Sequence, residues 1–190
     1  IANQASREAK GEILLFLDND TEIIQSQWLD VLLQQVMRPE VGLVGPRLEY
    51  YDGRIQHGGF ILGVNDGVEN VFDGYNSAEP GYLFYLNNVR NVSALSSSCL
   101  MIRKNVFDEV GGFSDDVFKF YYGDVDLALK LTQQGYLHIW TPYARVKHMG
   151  GGSRLFDKKF KVKACPDKED IENLKSLWGE KLFSDSSYHP

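Results

Sequence analysis

The sequence predicts an α/β fold, a mixed sheet flanked by helices. Short β-prone apolar runs alternate along the chain with segments of helical periodicity. At 190 residues the chain has the length of one domain, enough to bury roughly 70% of the surface its unfolded form exposes. Its 43% apolar and 13% aromatic content suits a globular core. The formal net charge of −6 provides no global basic field, so nucleic acid is not an expected partner. Cys99 and Cys165 form neither a disulfide framework nor a zinc set, which favours a reducing compartment. No apolar run approaches the ~20 residues of a membrane span, and no signal-peptide pattern opens the chain.

The elements follow in order. "IANQASREAKGEI" reads as the last turns of a helix, with Ala5 and Ala9 at helical spacing and Gly11 as the stop. A helix without its front predicts a fragment, with residues preceding Ile1 in the natural protein. A buried strand follows over 12–17, then the turn Asp18-Asn19-Asp20. An amphipathic helix spans about 27–37, with Trp28, Leu29, Leu32, Leu33 and Val36 on one face, and Pro39 ends it. "VGLVGPRL" is the next strand, and Asp52-Gly53 turns a hairpin. Residues 63–90 are rich in Gly, Asn and aromatics without a sustained period, which predicts a functional or mobile loop. "VSALSSSCLMIR" reads as a strand pair or one long bent strand. "KNVFDEVGGF" is a short helix closed by Gly111-Gly112, and "GDVDLALKLTQQGY" a helix stopping at Gly135. A strand over 136–140 is ended by Pro142, and a shorter one lies near 145–148. A charged tail after Gly152 carries a helix over about 168–182.

Several residues invite a chemical reading beside a plain one. Asp18 and Asp20 are two apart, so in extended backbone both project to one side at the strand's carboxyl end, where ligands of open α/β sheets bind. Two carboxylates aimed at one point repel unless a cation or proton lies between them. Mg²⁺ and Mn²⁺ take such oxygen ligands and share them with substrate phosphates. The plain alternative is an Asx-turn with a helix cap. Asp124 and Asp126 open a helix, where the macrodipole favours carboxylates by roughly 0.3–1 kcal/mol each, yet a carboxylate there can also serve as a general base. His148 lies in "RVKHMGGGSR", whose glycines allow close backbone approach to a ligand, and Arg154 offers charge for a diphosphate. A lone His beside glycines and an exposed Arg are also ordinary. His57 reads as structural, Cys99 as a small buried hydrophobe, and Trp28, Trp140 and Trp178 as packing residues.

Taken together, five segments resemble the family 2 glycosyltransferases, inverting enzymes of the GT-A fold that use nucleotide-sugar donors. "ANQASREAKGEILLFLDNDTE" looks like that family's helix, strand and DXD motif. "VGLVGPRLEYYDGRIQHGGFILG" is similar to a stretch frequent in bacterial members that build surface polysaccharides of the cell envelope. "VSALSSSCLMIRKNVFDEVGGFSDD" resembles the acceptor-side strand and Gly-Gly-Phe turn. "GDVDLALKLTQQGYLHIWTPYARVKHMGGGS" resembles the acidic catalytic motif and distal histidine segment, and "WGEKLFSDSSYHP" the usual ending.

The resemblance implies a GT-A-like fold truncated at its N-terminus. Residues 1–153 would be the metal and acceptor half of the domain, and 154–190 a charged tail with one helix. It implies a hexosyltransferase that moves a sugar from a UDP, dTDP or GDP donor to a glycan or lipid-linked acceptor. Asp20 would bind Mn²⁺ or Mg²⁺ bridging the donor diphosphate, and Asp18 would contact the ribose or share the metal. Asp124 would be the base with Asp126 supporting it, and His148 a further metal or diphosphate ligand. Work in the cytoplasm or at the inner membrane face, with peripheral membrane association, would follow. Aromatic Tyr75, Tyr82, Phe84 and Tyr85 in the 63–90 loop are candidates for stacking on acceptor sugars.

Two positions depart from the family pattern. Gly123 stands where Glu, Asp or Asn is usual, and Met149-Gly150 follow His148 where a polar residue is frequent. They keep open a non-catalytic module of the same fold that binds glycan or a partner. A phosphohydrolase of the haloacid dehalogenase type also opens on an apolar strand and Asp-x-Asp. It requires Thr or Val where Glu22 stands, and a later Asp where Ala128 stands.

Overall fold

A computed structural model describes residues 1–64, 67–149, 168–183, 185 and 187. Helix α1 (Ala2–Glu8) precedes strand β1 (Ile13–Leu17), a short β2 (Thr21–Ile23) and helix α2 (Trp28–Val36). Strands β3 (Val41–Glu49), β4 (Ile55–His57), β5 (Phe60–Val64) and β6 (Gly67–Asn70) follow, then a 3₁₀ turn (Tyr82–Asn87) and β7 (Arg90–Asn91). The chain continues through β8 (Cys99–Arg103), α3 (Lys104–Glu109), α4 (Gly123–Gln133) and β9 (Leu137–His148). Helix α5 (Lys168–Trp178) and a 3₁₀ turn (Gly179–Phe183) complete the described elements.

The main sheet runs in the order β1-β8-β3-β9-β2, with β4 added to β3 and β7 to β9. β3 and β9 are parallel, while β8 is antiparallel to both β1 and β3, so the sheet is mixed. Side chains of β8 alternate between two cores, as the period of a strand requires. Cys99 and Met101 face α2 through Leu32 and Val36, whereas Leu100 and Ile102 face Leu127 and Leu131 of α4. Burial pushes the Cys99 thiol up to about 12, with the charge of Asp18 adding to the rise, which leaves a small inert hydrophobe. Trp140 is fully buried, and Trp178 anchors α5 in the α4-side core together with Leu174.

Five segments differ from the sequence-based expectation. Strand β2 was not foreseen, since three residues carry too little pattern; it exists because it pairs with the end of β9, Thr21 opposite His148. Pro142 does not end a strand: β9 continues through it, and the register against β3 jumps from Pro46–Thr141 to Arg47–Arg145. The chain bulges at Pro142, where a missing N–H breaks no ladder. Residues 92–103 yield only β8, because 96–98 form a loop with a separate task. The 63–90 stretch begins inside the β5–β6 hairpin and is tied at its far end by Arg90, stacked over Trp140 at 4.6 Å and donating to the carbonyls of Tyr85 and Gly58. The tail helix is α-helical only to Trp178, and Gly179 at φ 36° starts the closing 3₁₀ turn. The expected boundary at 153/154 lies outside the described residues.

Ile102 is fully buried and registers with Leu14 on one side and Leu43 on the other. Ile102→Ala is therefore expected to cost about 2–5 kcal/mol, read as a lower urea midpoint at unchanged slope.

Candidate active site

An open cleft of about 990 Å³ lies across the carboxyl ends of β1 and β9. Its lining includes Asp18, Asn19, Asp20 and His148 together with segments 96–98, 113–115 and 118–124. The first half of the site is built by strand pairing. The Asp18 N–H donates to Ser98 O (2.9 Å), the Thr21 hydroxyl to Asp18 O (2.7 Å), and the Met149 N–H to Asp20 O (3.1 Å). Met149 thus serves through its backbone, which any side chain would allow.

These bonds bring together Asp18, Asp20 and His148, three of the sequence-predicted residues, with ligand atoms all within 4.8 Å of one another. His148 Nε2 lies 3.1 Å from Asp20 Oδ1 and 3.7 Å from Asp18 Oδ2. On its far side Nδ1 is 2.7 Å from Gln56 Oε1, while Gln56 Nε2 donates to the His148 carbonyl at 3.4 Å. That second bond fixes the amide so that Oε1 must accept from Nδ1–H. With Nδ1 turned to Gln56, Nε2 faces two carboxylates, and the three together form a donor set that a divalent cation would fit. One imidazole and two carboxylates suit Mn²⁺, and Mg²⁺ less well, because Mg²⁺ prefers oxygen ligands throughout.

Asp124 faces the cleft from the first turn of α4. Its Oδ2 accepts the Ser97 N–H (3.0 Å) and its Oδ1 the Val125 N–H (2.9 Å). Burial pushes the Asp124 carboxyl up from the ordinary carboxylate range; these N–H bonds oppose the rise, and the charge of Asp18 adds to it. A carboxylate displaced in that direction is a better proton acceptor.

Asp126 requires a correction, because it does not stand beside Asp124 in the cleft. Residues two apart on a helix face different sides. Asp126 is buried behind the cleft, accepting from Ser114 Oγ (2.7 Å) and Trp178 Nε1 (3.0 Å), with Lys130 Nζ at 3.2 Å. These contacts tie α4 to the 113–115 segment and to α5. Arg154 lies outside the described residues. The aromatic candidates Tyr75, Tyr82, Phe84 and Tyr85 do not line the cleft, whereas Phe118, Phe120, Tyr121 and Tyr122 do.

Sequence reasoning missed Gln56 and the serine segment. His57, read as structural, is buried and holds that segment: its Nε2 accepts the Ser96 N–H (3.1 Å), and its Nδ1 bonds Asn70 Oδ1 (2.7 Å). The adjacent "SSSC" ahead of an apolar strand was the available signal, a loop whose backbone meets the Asp124 carboxylate through Ser97 N–H and the Asp18 main chain through Ser98 O.

The sequence model of Glycosyl transferase family 2 matches residues 2–111. The chain is 37% identical over 161 residues to O-antigen biosynthesis protein RfbC of Myxococcus xanthus, covering 83% of this chain and 12% of that protein. It is 31% identical over 134 residues to the N-acetylglucosaminyl-diphospho-decaprenol L-rhamnosyltransferase of Mycobacterium tuberculosis, covering 64% of this chain and 43% of the other. The chain therefore spans less than half the length of these curated relatives. The crystal structure of GalNAc-T7 with UDP, GalNAc and Mn²⁺ superposes with a TM-score of 0.65 at 14% identity, over 94% of this chain and 34% of that one. This likeness shows the GT-A fold.

Burial lowers His57 and His138 to about 4, against about 6.5 in an unfolded chain. Above pH 6.5 both are neutral in either state and their contribution to stability is whole. As pH falls from 6.5 towards 4 the unfolded chain takes up protons that the folded one refuses. Each histidine then removes up to about 1.4 kcal/mol per pH unit. Urea unfolding at a series of pH values is expected to show this slope, smaller by about one proton in His57→Gln.

Proposed function

The chain belongs to glycosyl transferase family 2, and from that premise we propose a metal-dependent, inverting transfer of a hexose. The donor is a UDP, dTDP or GDP sugar, and the acceptor a hydroxyl of a glycan or lipid-linked saccharide. One observation carries this reading: Asp18, Asp20 and His148 converge within 4.8 Å on the cleft that Asp124 faces from the other side. The curated relatives support the substrate class, one being named for O-antigen biosynthesis and the other for rhamnosyl transfer onto a diphospho-decaprenol. Residues 1–153 hold the metal and acceptor half of this site.

In the proposed reaction the acceptor hydroxyl oxygen attacks the anomeric carbon of the donor sugar. The bond from that carbon to the diphosphate oxygen breaks, and the configuration inverts. Asp124 takes the hydroxyl proton as the new bond forms. Asp18, Asp20 and His148 would hold the divalent ion, Mn²⁺ by the donor set, with Gln56 fixing the imidazole. Bound there, the ion would supply positive charge for the departing diphosphate. Asp126 positions α4 and so Asp124. Among the described residues no helix is long and apolar enough to cross a membrane; we place the reaction in the cytoplasm or at the inner membrane face, where activated sugars and lipid-linked acceptors meet.

The testing experiment screens UDP, dTDP and GDP sugars with the full-length protein for Mn²⁺-dependent release of nucleoside diphosphate. Asp124→Asn is expected to lower the rate by ~10²–10⁴-fold, and Asp20→Ala to abolish metal dependence. An unchanged rate in the first, or retained metal dependence in the second, rejects the corresponding assignment. A folded protein that binds Mn²⁺ yet turns over no donor would be a binding module instead. Gln56→Leu, which leaves Nδ1–H without its acceptor, is expected to weaken Mn²⁺ binding ~10–100-fold, measured by electron paramagnetic resonance of free Mn²⁺.

A further inference from the structure

We propose that the segment 119–122 is an acceptor-sugar subsite in which Phe120 stacks on the face of a pyranose ring. The inference rests on the glycosyltransferase reading and names where its acceptor lies.

Phe120 is 70% exposed and lines the same cleft as Asp124. A solitary exposed aromatic is unremarkable on a protein surface. What distinguishes this one is the backbone beneath it. The main-chain N–H groups of Lys119, Phe120 and Tyr121 all donate to the carboxylate of Asp170 in α5, at 3.3, 3.2 and 2.9 Å. Asp170 is only 2% exposed. Asn173, one turn further along α5, donates to Val117 O at 3.0 Å. Tyr122 then adopts φ 64°, a left-handed conformation that bulky residues rarely take. The segment is thus clamped in one conformation that holds its largest apolar side chain in solvent, beside the proposed base.

A pyranose offers an apolar face of C–H groups and a rim of hydroxyls. The ring of Phe120 complements the face, and the cleft lining adds the polar side chains of Asp115 and Lys119 for the rim. A clamped platform also lowers the ordering cost of binding. The site is therefore placed on the α4 side of the cleft, away from the 63–90 aromatics, which do not reach it.

The test uses saturation-transfer NMR on the full chain with methyl glycopyranosides of the neutral hexoses, 6-deoxyhexoses and N-acetylhexosamines. At least one glycoside is expected to receive saturation on the C–H protons of a single ring face. Phe120→Trp should retain binding, and Phe120→Ala should weaken it about tenfold, the scale of one lost stacked ring. Asp170→Asn should weaken it in the same direction. Mn²⁺ binding should be unchanged in all of these variants. No saturation, or saturation indifferent to Phe120, overturns the subsite; the reading stands if donor turnover persists. Loss of both Mn²⁺ binding and donor turnover in the unsubstituted protein would defeat the reading, and the subsite with it.

Discussion

The site depends on the main chain of three consecutive serines. Ser96 N–H is held by His57, Ser97 N–H holds Asp124, and Ser98 O receives the N–H of Asp18. One loop therefore sets the distance between the DXD turn and the N-terminus of α4. It can do so because Cys99 follows immediately in register with Leu17, so sheet pairing fixes the loop's exit. Backbone groups suit this task, since they carry no net charge of their own into a cleft that already concentrates carboxylates. An N–H also stabilises the ionised form of whichever carboxylate it meets. The buried, neutral His57 completes the arrangement without adding a charge.

The sheet and the tail hold the two halves of the cleft independently. On the strand side, β9 carries His148 and pairs with β2, and Arg145 of β9 makes a two-point ion pair with Glu49 of β3 at 2.9 Å. Glu49 is buried and also 3.6 Å from Arg47, so its charge is matched where an unpaired one would be costly. On the helix side, α5 reaches the cleft loop through Asp170 and reaches α4 through Trp178 and Asp126. Helix α5 is thus part of the structure around the site.

Much of this was legible in the sequence, for physical reasons. Helices α2 and α4 carry a clear period, and β3 and β8 are apolar runs bounded by turns. Asp18, Asp20, Asp124 and His148 were each marked as candidates, and the fold brings all four to one cleft. What escaped was non-local. Nothing around Pro142 says that β9 bulges and resumes, because the reason is its register against β3. Nothing near Gln56 says that His148, 92 positions away, lies against it. Asp126 was grouped with Asp124 by nearness in sequence, whereas helix geometry separates them. The 63–90 stretch read as irregular because its order comes from Arg90 stacking on Trp140 rather than from periodicity.

The two-sided construction bears on how such a site could change its substrates. The side that carries Asp18, Asp20 and His148 rests on paired strands, where moving Asp20 or His148 would shift the β2–β9 register and turn side chains to the wrong face. The opposite side is a loop whose conformation is set by backbone bonds to Asp170, which leaves its side chains free of structural duty at Phe120. Substitution there alters the proposed acceptor surface without disturbing the Asp18–Asp20–His148 cluster. Physical constraint is thus concentrated on the side of Asp18, Asp20 and His148 and relaxed on the side of Phe120. The same division follows for any site in which rigid strands carry the charge chemistry and a clamped loop carries recognition.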